Sequence, residues 1–385
     1  MPLATHPYPL SLRAKVLQAR RLVVKVGTAV LTDPSGRFDA SHFEALATEL
    51  AEVARRRELI VVSSGAIALG VEALGLVARP TDLPGKQAAA AVGQCWLMHQ
   101  YAQQLGRQHL AVGQMLLTHE DFADRRRYLN ARQTLGALLA AKAVPVINEN
   151  DTVSVEEIQL GDNDSLAALV VGLCDAELLV LLSDVEGLFD ADPKAAADAR
   201  LVEQVPEVTP EIEALAGGSR GGLGTGGMTA KVRAARRASD SGALTVIASG
   251  RRPGVLGALL RGENVGTIFG APRPPLRARQ RWIAHALHPK GLLVVDDGAR
   301  DALRRRGSSL LPSGLTEVRG DFDRGEAVEI AGPDGKAFAR GLAGYGSREL
   351  ARLAGVRSGE IERVLGYKYL DEIVHRDDLV LLEET

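Results

Sequence analysis

Two lysines stand where a lysine is costly. Lys25 lies inside the apolar run Arg21–Val26 (RLVVKV), just ahead of Gly27. An unpaired ammonium buried in such a run is heavily penalised. It either snorkels to solvent at the strand end or reaches over that end toward phosphate oxygens. Lys231 follows Gly217–Gly227, which holds seven glycines in eleven residues, and opens an Ala-rich helix. Glycines before a helix N-terminus let backbone N–H groups approach a phosphate; the plainer reading is a surface loop. The helix macrodipole disfavours a cation in the first turn, so a bound anion would explain Lys231. The chain has 9 Lys against 37 Arg, which makes a lysine in an odd place more informative.

Familiar phosphate motifs do not account for this pattern. There is no G-x-x-x-x-G-K-[ST]. Gly222, Gly224 and Gly227 match G-x-G-x-x-G by spacing, but Gly and Ser precede them rather than a strand, so the dinucleotide context fails. Other polar clusters are more suggestive. Gly161-Asp162-Asn163-Asp164 precedes an apolar helix read from Ser165. One of these residues can serve as N-cap; Asp164 could hold two lysines in register and Asn163 could meet a substrate. Asn148–Asp151 reads as a turn or as a site for a small charged ligand. Ser63-Ser64-Gly65 reads as a cap or as donors to a carboxylate. The eight histidines lack metal-ligand spacing, and no Ser-His-Asp arrangement is legible.

The elements that must position these residues follow from hydrophobic periodicity. Strands are expected at Arg21–Val26, Leu59–Val62, Leu110–Leu117, Val144–Ile147, Leu178–Leu182 and Ala243–Ile247. Helices are expected at Phe38–Arg57, Lys86–Leu105, Tyr128–Lys142 and Ser165–Cys174. In Lys86–Leu105 the positions Ala91, Cys95, Met98, Ala102 and Leu105 form one face, with Gly106 as the stop. Alternation of this kind implies an α/β fold, a mainly parallel open sheet covered by helices on both faces. Ligands bind beyond the carboxyl ends of such strands. Gly27-Thr28, Ser63-Ser64-Gly65, Asn148–Asp151 and Ser183-Asp184 all sit there. Residues 1–20 read as a loose arm, 21–270 as the α/β domain, 271–280 as a Pro-rich linker and 281–385 as a small β-rich domain.

Composition narrows the class. Hydrophobic residues make up 46%, enough for a packed core, and the net charge of −2 does not suit a polyanion binder. Cys95 and Cys174 cannot build a disulfide framework, which points to the cytoplasm. The most apolar stretch, Leu166–Leu182, contains Asp175 and Glu177 and falls short of the ~20 residues a membrane helix needs. No export signal is visible.

At this point the chain resembles the amino acid kinase family. The likeness is carried by VVKVGTAVLT (Val23–Thr32), VVSSGAIALG (Val61–Gly70), KQAAAAVGQ (Lys86–Gln94), VGQMLLT (Val112–Thr118) and YLNARQTL (Tyr128–Leu135). It continues through VPVINEND (Val144–Asp151), GDND (Gly161–Asp164), LLSDVEGLFDADP (Leu181–Pro193) and GLGTGGMTAKV (Gly222–Val232). Beyond these, GSSLLPSG (Gly307–Gly314), FDRGEAVEI (Phe322–Ile330) and HRDDLVLL (His375–Leu382) look like a PUA domain.

The resemblance implies ATP-dependent phosphorylation of the side-chain carboxylate of L-glutamate, the first step of proline biosynthesis. By position it implies that Lys25 and Lys231 touch the transferring phosphoryl group and that Asp164 orients them. Ser64, Asp151 and Asn163 would hold glutamate. Lys25, Gly27, Ser183, Asp184, Thr225, Gly226, Gly227, Met228, Thr229, Ala230 and Lys231 would hold ATP, with Mg²⁺ carried mostly by phosphates and water. The family's usual Thr-Asp pair reads Ser183-Asp184 here. Feedback inhibition by proline, hand-over to glutamyl phosphate reductase and a homo-oligomer are also implied. Rival readings are a kinase of the same family acting on acetylglutamate, aspartate or a nucleotide, a non-catalytic amino acid sensor, and an RNA-binding protein. Arg279–Thr385 carries 17 Lys/Arg against 18 Asp/Glu, with no basic excess to drive RNA binding.

Overall fold

A computed structural model of the 385-residue chain describes residues 11–153, 163–193, 196, 198–217, 227–271, 283–284 and 287–382. Two compact units divide near Pro275. The expected linker lies almost wholly outside the described residues.

The first unit is built on an eight-stranded sheet. Its strands are β1 (Arg21–Val26), β2 (Glu58–Ser63), β3 (Val112–Leu117), β4 (Val144–Glu149), β5 (Leu178–Ser183), β6 (Gln204–Val205), β7 (Leu244–Ser249) and β8 (Thr267–Phe269). Their order is β3-β4-β2-β1-β5-β7-β8-β6. All neighbours are parallel except β7 and β8. The central strands are buried along nearly their whole length, as covering both faces of a parallel sheet requires. Parallel pairing brings the carboxyl ends of β4, β2, β1 and β5 to one edge. Val26 is in register with Ser63 and Leu182.

Local chemistry explains the covering helices. Asp39 caps the Ala40–Arg56 helix by accepting from the His42 N–H at 3.0 Å. Phe43, Leu46, Ala47, Leu50 and Val53 then form its buried face. The Leu83–Arg107 helix differs from expectation in two ways. It runs through Gly106, and its buried face is Ala90, Gly93, Gln94, Leu97, Tyr101 and Leu105, while Ala91, Cys95 and Ala102 are exposed. The reason is backbone contact: a Cβ on Gly93 would stand 1.7 Å from the Ala66 carbonyl oxygen, and one on Gly70 1.7 Å from that of Ala89. Two small residues let the Ala66–Ala73 and Leu83–Arg107 helices touch, and that contact sets the rotation.

Residues 1–10 of the expected loose arm lie outside the described residues, and for residues 11–20 the expectation needs correction. Leu12–Gln18 is a helix, capped by Ser11, with Val16 buried in the core of the α/β unit. Arg57 donates to the carbonyls of Val16, Leu17 and Ala19 at 3.2, 3.0 and 2.7 Å, tying down its C-terminal end.

The second unit holds a five-stranded sheet ordered β10-β9-β11-β12-β13, from β9 (Gly291–Val295), β10 (Leu315–Gly320), β11 (Ala327–Ala331), β12 (Ala337–Leu342) and β13 (Leu379–Leu381). Only the β9/β11 pair is parallel. Its own core includes Leu293, Val295, Val328, Ile330, Phe338 and Tyr345. Helices at Asp297–Arg306 and Ser347–Leu353 accompany the expected strands.

Candidate active site

The site lies where the carboxyl ends of the central strands meet two helix N-termini. Lys25 is the fifth residue of β1 and is 7% exposed. Lys231 lies early in the Met228–Ser239 helix and is 5% exposed. That helix packs on the Asn163–Cys174 helix, whose second residue is Asp164. Asp164 is fully buried and bridges the lysines: Oδ1 lies 2.7 Å from Lys25 Nζ and Oδ2 lies 3.0 Å from Lys231 Nζ. Burial pushes its pKa up, but the two ammonium groups outweigh this and hold the carboxyl below the usual range. The cluster therefore keeps two positive charges and one negative in a space nearly closed to water. Its surplus of one positive charge suits an anion placed beside it.

The helix bearing Asp164 begins at Asn163, two residues earlier than periodicity suggests. Asn163 and Asp164 thus fall inside the first turn, on a helix that is buried over most of its length. An acidic residue there is favoured by the macrodipole.

Beside this charge cluster is a set of neutral polar side chains. Asn163 Nδ2 approaches Ser64 Oγ at 2.8 Å, Asn148 Oδ1 at 3.0 Å and the Ser63 carbonyl at 3.2 Å. Asn148 in turn donates to Gln94 Oε1 at 2.8 Å. Tyr101, fully buried, donates to Ser63 Oγ at 3.0 Å. Gly65 takes φ 102° and starts the Ala66–Ala73 helix, a left-handed conformation that a side chain would strain. This turn frees Ser64 to face Asn163. Asp151 is half-buried in the turn after β4. Gln94 and Tyr101 were not singled out from sequence. The available signal was a polar Gln and a Tyr seven residues apart on a helix face otherwise made of small and apolar residues.

On the other side of β1, the Gly27 N–H donates to the Leu182 carbonyl at 3.1 Å. A Cβ on Gly27 would stand 3.2 Å from that carbonyl and 3.5 Å from Lys25 Nζ, so a side chain there would press on the carbonyl and touch the lysine head. Ser183 is buried at the end of β5 and donates to Asp184 Oδ1 at 2.9 Å; Asp184 is exposed. The Gly250 N–H holds the Ser183 carbonyl at 2.8 Å. Gly227 caps the Met228–Ser239 helix, and Thr229 donates to the Ala216 carbonyl at 3.2 Å. Met228 and Ala230 are both half-buried. Thr225, Gly226, Gly161 and Asp162 lie outside the described residues. Among the described residues no group of three or more His, Cys, Asp or Glu could hold a metal, and no helix is long and apolar enough to cross a membrane.

Comparison with known proteins agrees with this fold. Residues 20–249 match the model of the amino acid kinase family, and residues 291–365 match that of the PUA domain. The chain is 57% identical to the glutamate 5-kinase of Myxococcus xanthus, over 96% of this chain and 98% of that one. It is 54% identical to the glutamate 5-kinase of Anaeromyxobacter dehalogenans, again over 96% of this chain and 98% of the relative. It is 50% identical to that of Pelobacter propionicus, over 94% and 98%. The chain belongs to the amino acid kinase family, within its glutamate 5-kinases, and carries a PUA domain after the kinase domain.

Proposed function

We propose that this chain transfers the γ-phosphoryl group of ATP to the side-chain carboxylate of L-glutamate, giving L-glutamyl 5-phosphate and ADP. A carboxylate oxygen attacks phosphorus and the bond to the ADP oxygen breaks. No proton moves, because the nucleophile is already ionised at pH 7, with a reference pKa of about 4.3. The barrier to overcome is the approach of one anion to another. Catalysis is then positioning plus charge neutralisation. The observation that carries the reading is the bridging of Lys25 and Lys231 by one buried, ionised Asp164.

Each residue takes a role on that reading. Lys25 and Lys231 meet the transferring phosphoryl group, and Asp164 holds their ammonium heads at a fixed separation. Ser64, Asp151 and Asn163 hold glutamate. Gly27, Ser183, Asp184 and the Thr225–Lys231 segment hold ATP, with backbone N–H groups at the helix N-terminus facing phosphate. Both Asp164 oxygens face lysines, and the described residues contain no other acidic cage. The site therefore does not fit a resident metal, and Mg²⁺ would arrive on the nucleotide, held by phosphates and water. Feedback inhibition by proline, hand-over to glutamyl phosphate reductase and a homo-oligomeric state belong to the same reading and rest on the family resemblance alone; a cytoplasmic location rests on the two cysteines of the sequence.

A coupled ADP-release assay over glutamate, aspartate and N-acetylglutamate, with and without Mg²⁺, tests it. Turnover with glutamate that depends on Mg²⁺ is expected. Preference for another acid would reassign the substrate, and no ADP release with any would remove the kinase reading.

A further inference from the structure

Behind Ser64 and Asn163 three side-chain amides join in a line, and backbone groups fix which way each one points. The Ser63 carbonyl can only accept, so the Asn163 atom 3.2 Å from it is the amide nitrogen. The Glu149 backbone N–H can only donate, so the Asn148 atom 2.9 Å from it is the oxygen. Asn148 Nδ2 is then left to donate to Gln94 Oε1 at 2.8 Å. The Asn163 nitrogen is committed to Ser63, Ser64 and Asn148. Its oxygen is buried and finds no hydrogen-bond partner among the described residues.

We infer that Gln94 is a positioning residue for the amino acid substrate: by holding Asn148 it locks Asn163 with its oxygen presented as an acceptor for the substrate's ammonium group. This rests on the kinase reading above and adds to it the basis for choosing a free amino acid. Asn148 is 2% exposed, so its amide nitrogen would be left unpaired in the interior without Gln94, at a desolvation cost. Asn148 would then shift, and Asn163, which donates to its oxygen, would lose its register. Gln94 is itself placed rigidly. It follows Gly93, whose backbone lies against Ala66, at the start of the helix that Ser64-Gly65 leads into. One helix contact thus sets both ends of the amide line. An acceptor with no donor among the described residues discriminates: an acid lacking the ammonium, or carrying it acylated, leaves the Asn163 oxygen unpaired.

The test uses the full chain, with steady-state kinetics for glutamate, glutarate, N-acetylglutamate and ATP in the wild type, Gln94→Met and Gln94→Glu. The wild type is expected to favour glutamate over glutarate by at least about 100-fold, as a site built to pair a polar group does. Gln94→Met keeps the volume and removes the acceptor. It is expected to raise the glutamate KM roughly tenfold, leave the ATP KM within about twofold, and narrow the glutamate-to-glutarate ratio. Gln94→Glu keeps an acceptor oxygen in place and is expected to recover most of the loss. A folded Gln94→Met with unchanged glutamate KM overturns the inference. So does an equal rise in both KM values, or a Gln94→Glu no better than Gln94→Met, since either would mark a general packing role. Should Gln94→Met fail to fold, Gln94→Glu decides: a glutamate KM within about threefold of wild type supports the assignment and a tenfold rise overturns it. A wild type that uses glutarate as well as glutamate overturns the role of the Asn163 oxygen. A wild type that releases ADP with none of these acids removes the kinase reading itself, a result distinct from an active wild type indifferent to Gln94.

Discussion

Asp164 keeps a charge that burial alone would take away. Lys25 and Lys231 hold its pKa below the ordinary carboxylate range despite desolvation. The native state therefore binds fewer protons than the unfolded state between the ordinary carboxylate pKa and the lower folded one. The stabilisation is complete above the unfolded value and is lost as pH falls through the folded one. Asp164→Asn removes this dependence and leaves two ammonium groups facing each other in the interior. Urea titrations should show Asp164→Asn less stable at pH 7 by about 3–5 kcal/mol, the usual cost of breaking a buried ion pair, with a shallower loss of stability on the acid side. An acid limb as steep as wild type would mean that another carboxylate controls it. At this scale the sequence was informative where a residue type was out of place: Lys25 in an apolar strand and Lys231 at a helix start. Gln94 and Tyr101 gave a weaker signal: a Gln and a Tyr seven residues apart on a face of small and apolar residues gain meaning only once Asn148 and Ser63 are seen opposite them.

The strands were legible because a parallel sheet buried on both faces demands unbroken apolar runs, and β1, β2, β4 and β5 show them. The rotation of the Leu83–Arg107 helix was not. Counting apolar residues selects Ala91, Cys95 and Met98, whereas contact is made by Gly93, which no hydrophobicity pattern counts. Gly93→Ala should force the Ala66–Ala73 and Leu83–Arg107 helices apart, since the added Cβ would meet the Ala66 carbonyl at 1.7 Å. Thermal melts should show destabilisation of about 1–3 kcal/mol, typical of overpacking. Gly106→Ala on the same helix meets nothing within 4 Å and should be stabilising by about 0.5–1 kcal/mol. Equal melting temperatures for the two variants would refute the close contact. The Asn163–Cys174 helix starts two residues before its apolar periodicity for a related reason: polar residues at a helix start look like a cap whether they precede the first turn or form it.

At the level of the whole molecule, two units carry separate cores, and only one of them holds the lysine cluster. The near balance of 17 basic and 18 acidic residues in Arg279–Thr385 argues against a polyanion partner for the second unit. Filter binding at low salt should show no retention of a generic RNA at micromolar protein; retention that falls with salt would assign this domain a partner its charge does not suggest. The central claim is that Lys25 and Lys231, contributed by a strand near the start of the chain and a helix far along it, act on one phosphoryl group. What sequence could not supply is their convergence, which depends on the Met228–Ser239 helix packing on the Asn163–Cys174 helix, itself packed on β1. The most direct measurement is the turnover of Lys231→Ala with saturating ATP and glutamate, alongside circular dichroism to establish the fold. A fall in kcat of at least ~100-fold is expected, as for loss of a contact made to charge developing in the transition state. A folded Lys231→Ala with wild-type turnover would contradict the account.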